Sequence, residues 1–271
     1  MNEAWDGHAH VFAPDLPFVT PRRYTPPYAA TVEQFLGHLD SCRLHGGLLT
    51  QPSFLGTDHS HMLAAVAKAP HRLRAVVVVE PEVSDASLDA LGAQGAVGLR
   101  LNLEGRALLQ LDTGPWPDLF KRLAQRHWHV EFHRCAADLE RLIEPLLDIG
   151  VRVCVDHFGR PDPMLGRDDP GFRWLLSVAS SNQVWVKVSA AYRTGGLARG
   201  EQLAPLLLAD LLDAFGPARL IWASDWPHTQ HEAQVSYRAS YDALSRWCGD
   251  AALEHSLRSD GMAALLARAP C

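Results

Sequence analysis

The 271-residue chain has no excess of positive charge: 31 acidic residues against 25 basic ones give a net charge of −6. A general nucleic-acid surface needs a basic footprint, so that class of function is excluded. Apolar runs are short, well below the ~18 residues that span a bilayer, and no membrane partner is expected. Cysteine is scarce. Cys42, Cys135, Cys154, Cys248 and Cys271 are odd in number and irregular in spacing, with no C-x-x-C. That pattern fits a reduced protein better than a disulfide framework. The N-terminus shows no charged-then-apolar leader, so a cytoplasmic location is expected. No Gly-rich dinucleotide turn follows the first apolar run, which argues against an open nucleotide-binding sheet. Repeats, low-complexity tracts and linkers are missing too, and residues 1–271 read as one domain.

What is present is an ordinary enzyme composition, 47% apolar and 21% charged, on a chain long enough for a sizeable core. Apolar runs rich in Val, Leu and Ile predict strands near 5–10, 47–51, 74–80, 96–101, 128–133, 151–156, 184–189 and 219–224. Amphipathic stretches of helical length lie between and after them, including Val32–His45, Trp116–Arg126, Ala137–Ile149, Glu201–Phe215, Ala233–Trp247 and Ala251–Arg268. Eight strands alternating with helices predict an α/β fold, a (β/α)8 TIM barrel with some distortion. Cys154 falls inside a strand and reads as core. The Pro-rich segment Pro14–Pro27 is too long for a plain connection and reads as a loop over the barrel mouth.

Active sites of such barrels lie at the C-terminal ends of the strands. Those ends are unusually polar here. Strand one carries His8 and His10, which share a face because side chains repeat every two residues. Gln51 and Ser53 follow strand two. Arg100 and Asn102 end strand four, Glu131 and His133 strand five, and Asp156-His157-Phe158-Gly159-Arg160 strand six. Lys187 and Ser189 belong to strand seven, with Arg193 just beyond, and Asp225 closes strand eight. Imidazoles and a carboxylate in one mouth suggest hydrolysis, with or without a metal.

Five motifs carry a resemblance: Asp6-x-His8-x-His10, Arg22-Arg23-Tyr24-Thr25-Pro26, Gly98-Leu99-Arg100-x-Asn102, Asp156-His157-x-Gly159-Arg160-Pro161-Asp162 and Ser224-Asp225-Trp226-Pro227-His228. In this order they resemble the amidohydrolase superfamily, in its branch of 2-pyrone-4,6-dicarboxylate and sugar-lactone hydrolases. The resemblance implies lactone hydrolysis, with His8, His10 and His157 polarising the carbonyl and Asp225 as general base. It also implies that Arg100, Arg106, Arg160 and Arg193, with Tyr24, hold the carboxylates of a small anionic lactone, and Ser53 and His133 join them as substrate contacts. Guanidinium forks suit that task. The tract Val130-Glu131-Phe132-His133 departs from the resembled pattern, where an aromatic hydroxyl is expected.

Binuclear members of the superfamily use a carboxylated Lys on a mid-barrel strand. Glu131 and His133 stand there instead, and Lys187 lies on a later strand, so a binuclear site is not expected. Metal-independent chemistry is the expectation. The alternative is a single zinc or manganese ion on His8, His10, His157 and Asp225. His59 and His61, two residues apart in a helical stretch, do not share a face. His228 is either an orienter of Asp225 or a surface residue. Competing functions are a sugar-lactone hydrolase, a metal-dependent decarboxylase and a barrel that only binds a small anion. A homodimer is left open.

Overall fold

The computed structural model describes residues 2–267. Among them eight strands run parallel in chain order: β1 (Trp5–Ala9), β2 (Gly46–Thr50), β3 (Leu73–Val77), β4 (Ala96–Asn102), β5 (His129–His133), β6 (Arg152–Val155), β7 (Val184–Val188) and β8 (Leu220–Trp222). Nearly every strand residue is buried, because helices cover the outside and neighbouring strands fill the inside. The helices are α1 (Val32–Ser41), α2 (Ser60–Lys68), α3 (Asp85–Ala93), α4 (Trp116–Gln125), α5 (Leu139–Ile149), α6 (Pro170–Ser177), α7 (Gly196–Phe215), α8 (Tyr237–Cys248) and α9 (Ala251–Leu266). This is the expected (β/α)8 barrel.

Boundaries moved where local chemistry overrides apolar pattern. The β3 strand stops at Val77, where the apolar run continues. Helix α1 ends at Ser41, before His45, and starts at a capping box in which Thr31 Oγ1 accepts from the Gln34 amide and Gln34 answers to the Thr31 amide. Helix α7 begins five residues before Glu201. Helix α8 begins at Tyr237, where Ser236 caps it, and not at Ala233. The expected helix end at Arg268, and Cys271, lie outside the described residues.

The barrel closes at a seam between β8 and β1, and there the ladder is thin. A single parallel bridge joins Ala9 to Trp226. The His10 amide donates to the Trp226 carbonyl at 2.8 Å, and the Asp225 amide to the His8 carbonyl at 2.9 Å. The buried Asp6 carboxylate completes the seam, accepting from the Ser224 amide at 2.9 Å and from the Tyr237 hydroxyl at 3.0 Å. Gly7 permits this approach. A Cβ there would stand 2.3 Å from Ile221 Cγ2, where no side chain fits.

Inside the barrel, alternation along the strands builds layers. The lowest is apolar: Leu48, Val76, Cys154, Trp185 and Ile221 pack on Met262 and Leu265 of α9, which plugs that end. Two residues further along the same strands come Lys187 and Asp156, joined by Arg100, Glu131 and His8, all buried. Above these lies the mouth.

Candidate active site

His8 lies on β1 and His10 just past it. The His10 Nδ1–H donates to the Thr50 carbonyl at 2.7 Å, so its Nε2 presents a lone pair. That Nε2 is 3.2 Å from the Nε2 of His8. His157 follows β6 and Asp225 follows β8, both in left-handed backbone (φ 53° and 60°). Non-glycine residues take that conformation only when the surroundings enforce it, and such positions gather at functional sites. His157 Nδ1 is 2.9 Å from Ser189 Oγ. Asp225 Oδ1 lies 3.8 Å from the Nε2 atoms of His8 and His157 and 3.9 Å from that of His10. Its other oxygen, Oδ2, accepts from the Tyr192 hydroxyl at 2.6 Å and from Arg193 Nε at 2.7 Å. One carboxylate oxygen is thus tied back, and the other faces three imidazoles.

Electrostatics follow from these contacts. Burial alone would raise the Asp225 carboxyl, but Arg193 and the facing imidazoles outweigh it and hold Asp225 ionised, well below the usual carboxylate range. Burial pushes His157 down to about 3. Burial, with His8 and Arg100 nearby, likewise pushes His10 well down. His8 moves the other way: burial and Lys187 lower it, while Asp156 and Glu131 more than compensate.

A narrow cleft opens over this centre. His10, His157 and Asp225 reach it, as do Tyr24, Ser53, Arg100, His133 and Arg193. The Pro-rich loop therefore does cover the mouth, and Tyr24 is fastened across it by a 3.1 Å hydrogen bond to Thr229 Oγ1. His8 lies just beneath. Arg160 stands behind the wall. It donates to Glu104, and its Nη1 is 3.2 Å from His133 Nε2. Arg106 does not join the cleft. A turn from Leu103 to Arg106 carries the chain outward and leaves its side chain exposed.

Several residues escaped the sequence reading. Arg23 lines the cleft, 3.4 Å from Asn102, which the sequence had placed at a strand end, and Thr229 and Gln230 form its far rim. Tyr192, the partner of Asp225, was hidden beside Arg193. The adjacency of Arg23 to Tyr24 in one tract was a usable signal, whereas nothing local pointed to Thr229. His228 is buried, 3.2 Å from the Tyr192 hydroxyl, and burial pushes it down to about 4. His59 donates to or accepts from the backbone of Val78 and serves structure.

By spacing, His8, His157 and Asp225 can hold a divalent ion, with His10 adjoining. Ligand atoms ~2.0–2.1 Å from a tetrahedral zinc lie roughly 3.3 Å apart, close to the distances seen here. A second set of suitable spacing, His8, Glu131 and Asp156, lies one layer down. There Lys187 Nζ occupies the middle, 2.8 Å from His8 Nδ1 and 3.3 Å from Asp156 Oδ1, and it donates to Glu131.

An amidohydrolase family model matches residues 5–260. The chain belongs to the amidohydrolase family. This amidohydrolase is 34% identical over 241 residues to the 2-pyrone-4,6-dicarboxylate hydrolase of Comamonas testosteroni, covering 83% of this chain and 77% of that protein. It is 30% identical over 229 residues to the 4-sulfomuconolactone hydrolase of Hydrogenophaga intermedia, covering 83% and 75%. Its fold superposes with a TM-score of 0.94 on the crystal structure of a probable 2-pyrone-4,6-dicarboxylic acid hydrolase from Acinetobacter baumannii with citric acid bound, at 36% identity over 98% and 99% of the two chains. The resemblance read from the motifs is thereby established. Among the described residues no helix is long and apolar enough to cross a membrane.

Proposed function

We propose that this amidohydrolase opens an anionic lactone by attack of water on the ring carbonyl. The observation that carries the reading is Asp225, held ionised by Arg193 and Tyr192 with its free Oδ1 turned to three imidazole nitrogens at the cleft floor. The relatives named above act on lactones that bear carboxylate or sulfonate groups, which supports the substrate class.

In this reading Asp225 takes a proton from water as its oxygen bonds to the carbonyl carbon. The carbonyl electron pair moves onto oxygen. Hydrogen-bond donors aimed at that oxygen stabilise the charge where it develops. His157, which reaches the cleft, suits this role. His10 does not, because its Nδ1–H is committed to Thr50 and its Nε2 can only accept. It orients the water or the His8 N–H instead. The intermediate then collapses, the bond from the carbonyl carbon to the ring oxygen breaks, and the proton on Asp225 passes to that oxygen. One water enters and one ring-opened acid leaves. A divalent ion on His8, His10, His157 and Asp225 would supply a Lewis acid and a more acidic water at the same place.

Arginine use narrows the substrate contacts. Arg100 donates to the Gln51 carbonyl at 3.0 Å and pairs with Asp156, and Arg160 pairs with Glu104. Arg23, with Asn102 as its polar neighbour, and the outer edge of Arg193 face the cleft and meet the substrate's acid group. The test is turnover of carboxylated and sulfonated lactones, followed by loss of ring absorbance with and without chelator. Ring opening of at least one is expected. Failure of all of them at high enzyme concentration overturns the proposal.

A further inference from the structure

Lys187 is buried completely, and the hydrolytic scheme leaves it without a task. Its surroundings give it one. The ammonium stands amid His8 Nδ1, Glu131 and Asp156, three groups whose spacing would otherwise suit a metal ion. Glu131 and Asp156 are also faced by Arg100, at 3.8 and 3.4 Å. Two cations thus oppose two carboxylates, and the layer is neutral.

A lysine ammonium has three donors and no acceptor. At 2.8 Å from it, His8 Nδ1 has to present its lone pair. In its neutral form His8 carries a single N–H, which then belongs on Nε2 and points to the mouth. There it meets the Nε2 lone pair of His10, which the Thr50 carbonyl fixes in the opposite tautomer. The two rings interlock as donor and acceptor.

Without the ammonium the balance reverses. Asp156 Oδ1 and Glu131 Oε1 lie 3.3 and 3.4 Å from His8 Nδ1 and would draw the N–H to that side. The Nε2 lone pair would then face the mouth, beside the other candidate ligands. An imidazole backed by a carboxylate in that way is the usual form of a metal-bound histidine.

We infer that Lys187 is an internal cation in the place of a metal ion, a positioning residue that makes His8 a hydrogen-bond donor to His10 at the cleft floor and withholds it as a metal ligand. The catalytic consequence rests on the lactonase reading, but the tautomer does not.

The experiment joins histidine nitrogen NMR of the intact protein with zinc equilibrium dialysis. In the wild type, at a pH above the titration of His8, the ring is expected as the Nε2–H tautomer. Lys187→Met should shift the proton to Nδ1, bind zinc at least tenfold more tightly than the wild type, and lower kcat at least tenfold with little change in KM. Lys187→Arg should keep the wild-type tautomer and zinc affinity. An Nδ1–H tautomer in the wild type overturns the inference, and so does equal zinc affinity of wild type and Lys187→Met. If Lys187→Met does not fold, the wild-type tautomer decides alone. Absence of lactone turnover with the expected tautomer defeats the functional proposal and leaves this inference standing.

Discussion

Two adjacent layers of the barrel interior hold ionisable groups, and they use them in opposite ways. In the middle layer Lys187 and Arg100 neutralise Glu131 and Asp156. Lys187, Glu131 and Asp156 do not reach the cleft. In the mouth layer Asp225 Oδ1 and His157 Nε2, 3.8 Å apart, reach the cleft, as does His10, whose Nε2 meets His8 Nε2 at 3.2 Å. Both layers come from the same strands, often two residues apart, as with Glu131 and His133 or Arg100 and Asn102. Burial and charge alone therefore do not mark a reactive group. What marks it is access to the cleft.

Breaking the mouth layer should stop chemistry and spare the fold. Asp225→Asn keeps the shape of the side chain but removes the base, and kcat should fall about 10²–10⁴-fold, read by steady-state kinetics with an unchanged circular-dichroism spectrum. Breaking the middle layer should do the reverse. Glu131→Leu leaves Lys187 without its closest carboxylate, and urea unfolding should show a loss of roughly 3–5 kcal/mol.

Acid sharpens the contrast. His157 and His228 bind protons far more weakly when folded, at about 3 and about 4, than their unfolded value near 6.5. The unfolded chain takes up protons first, so stability is full above pH ~6.5 and falls as pH drops toward the folded values. At pH 5 each imidazole should cost on the order of 1–2 kcal/mol, seen as a lowered Tm between pH 7 and pH 5. An unchanged Tm would place these rings in contact with solvent. Arg106 belongs to neither layer, and Arg106→Ala should change stability by under about 0.5 kcal/mol and leave kcat/KM unchanged.

The mouth layer was largely legible in the sequence, because each member stands at the end of an apolar run. H-x-H closes the first such run, Asp156-His157 stands at the end of the sixth and Asp225 at the end of the eighth. Their convergence then needs only a closed parallel barrel. The middle layer was not legible. Glu131, Asp156 and Lys187 come from three strands, and only the stagger of those strands places them within hydrogen-bond range of one another. The arginines show the same limit. Arg100, Arg106, Arg160 and Arg193 read alike as cations near strand ends. Arg106 turns outward and Arg160 is taken up by Glu104, while Arg23 faces the cleft from a loop whose path no periodicity reveals. The Asp6 carboxylate at the barrel seam read only as part of a motif, since the bonds it makes replace ladder bonds that the short β8 cannot provide.

The central claim is that this mouth opens lactones bearing an acid group. It is tested most directly by kcat/KM for 2-pyrone-4,6-dicarboxylate against unsubstituted 2-pyrone. A guanidinium–carboxylate contact contributes about 2–5 kcal/mol when buried, so the dicarboxylate should be preferred by at least roughly 30-fold. Arg23→Met should erode that preference. Equal rates for the two rings, or no opening of either, would contradict the account.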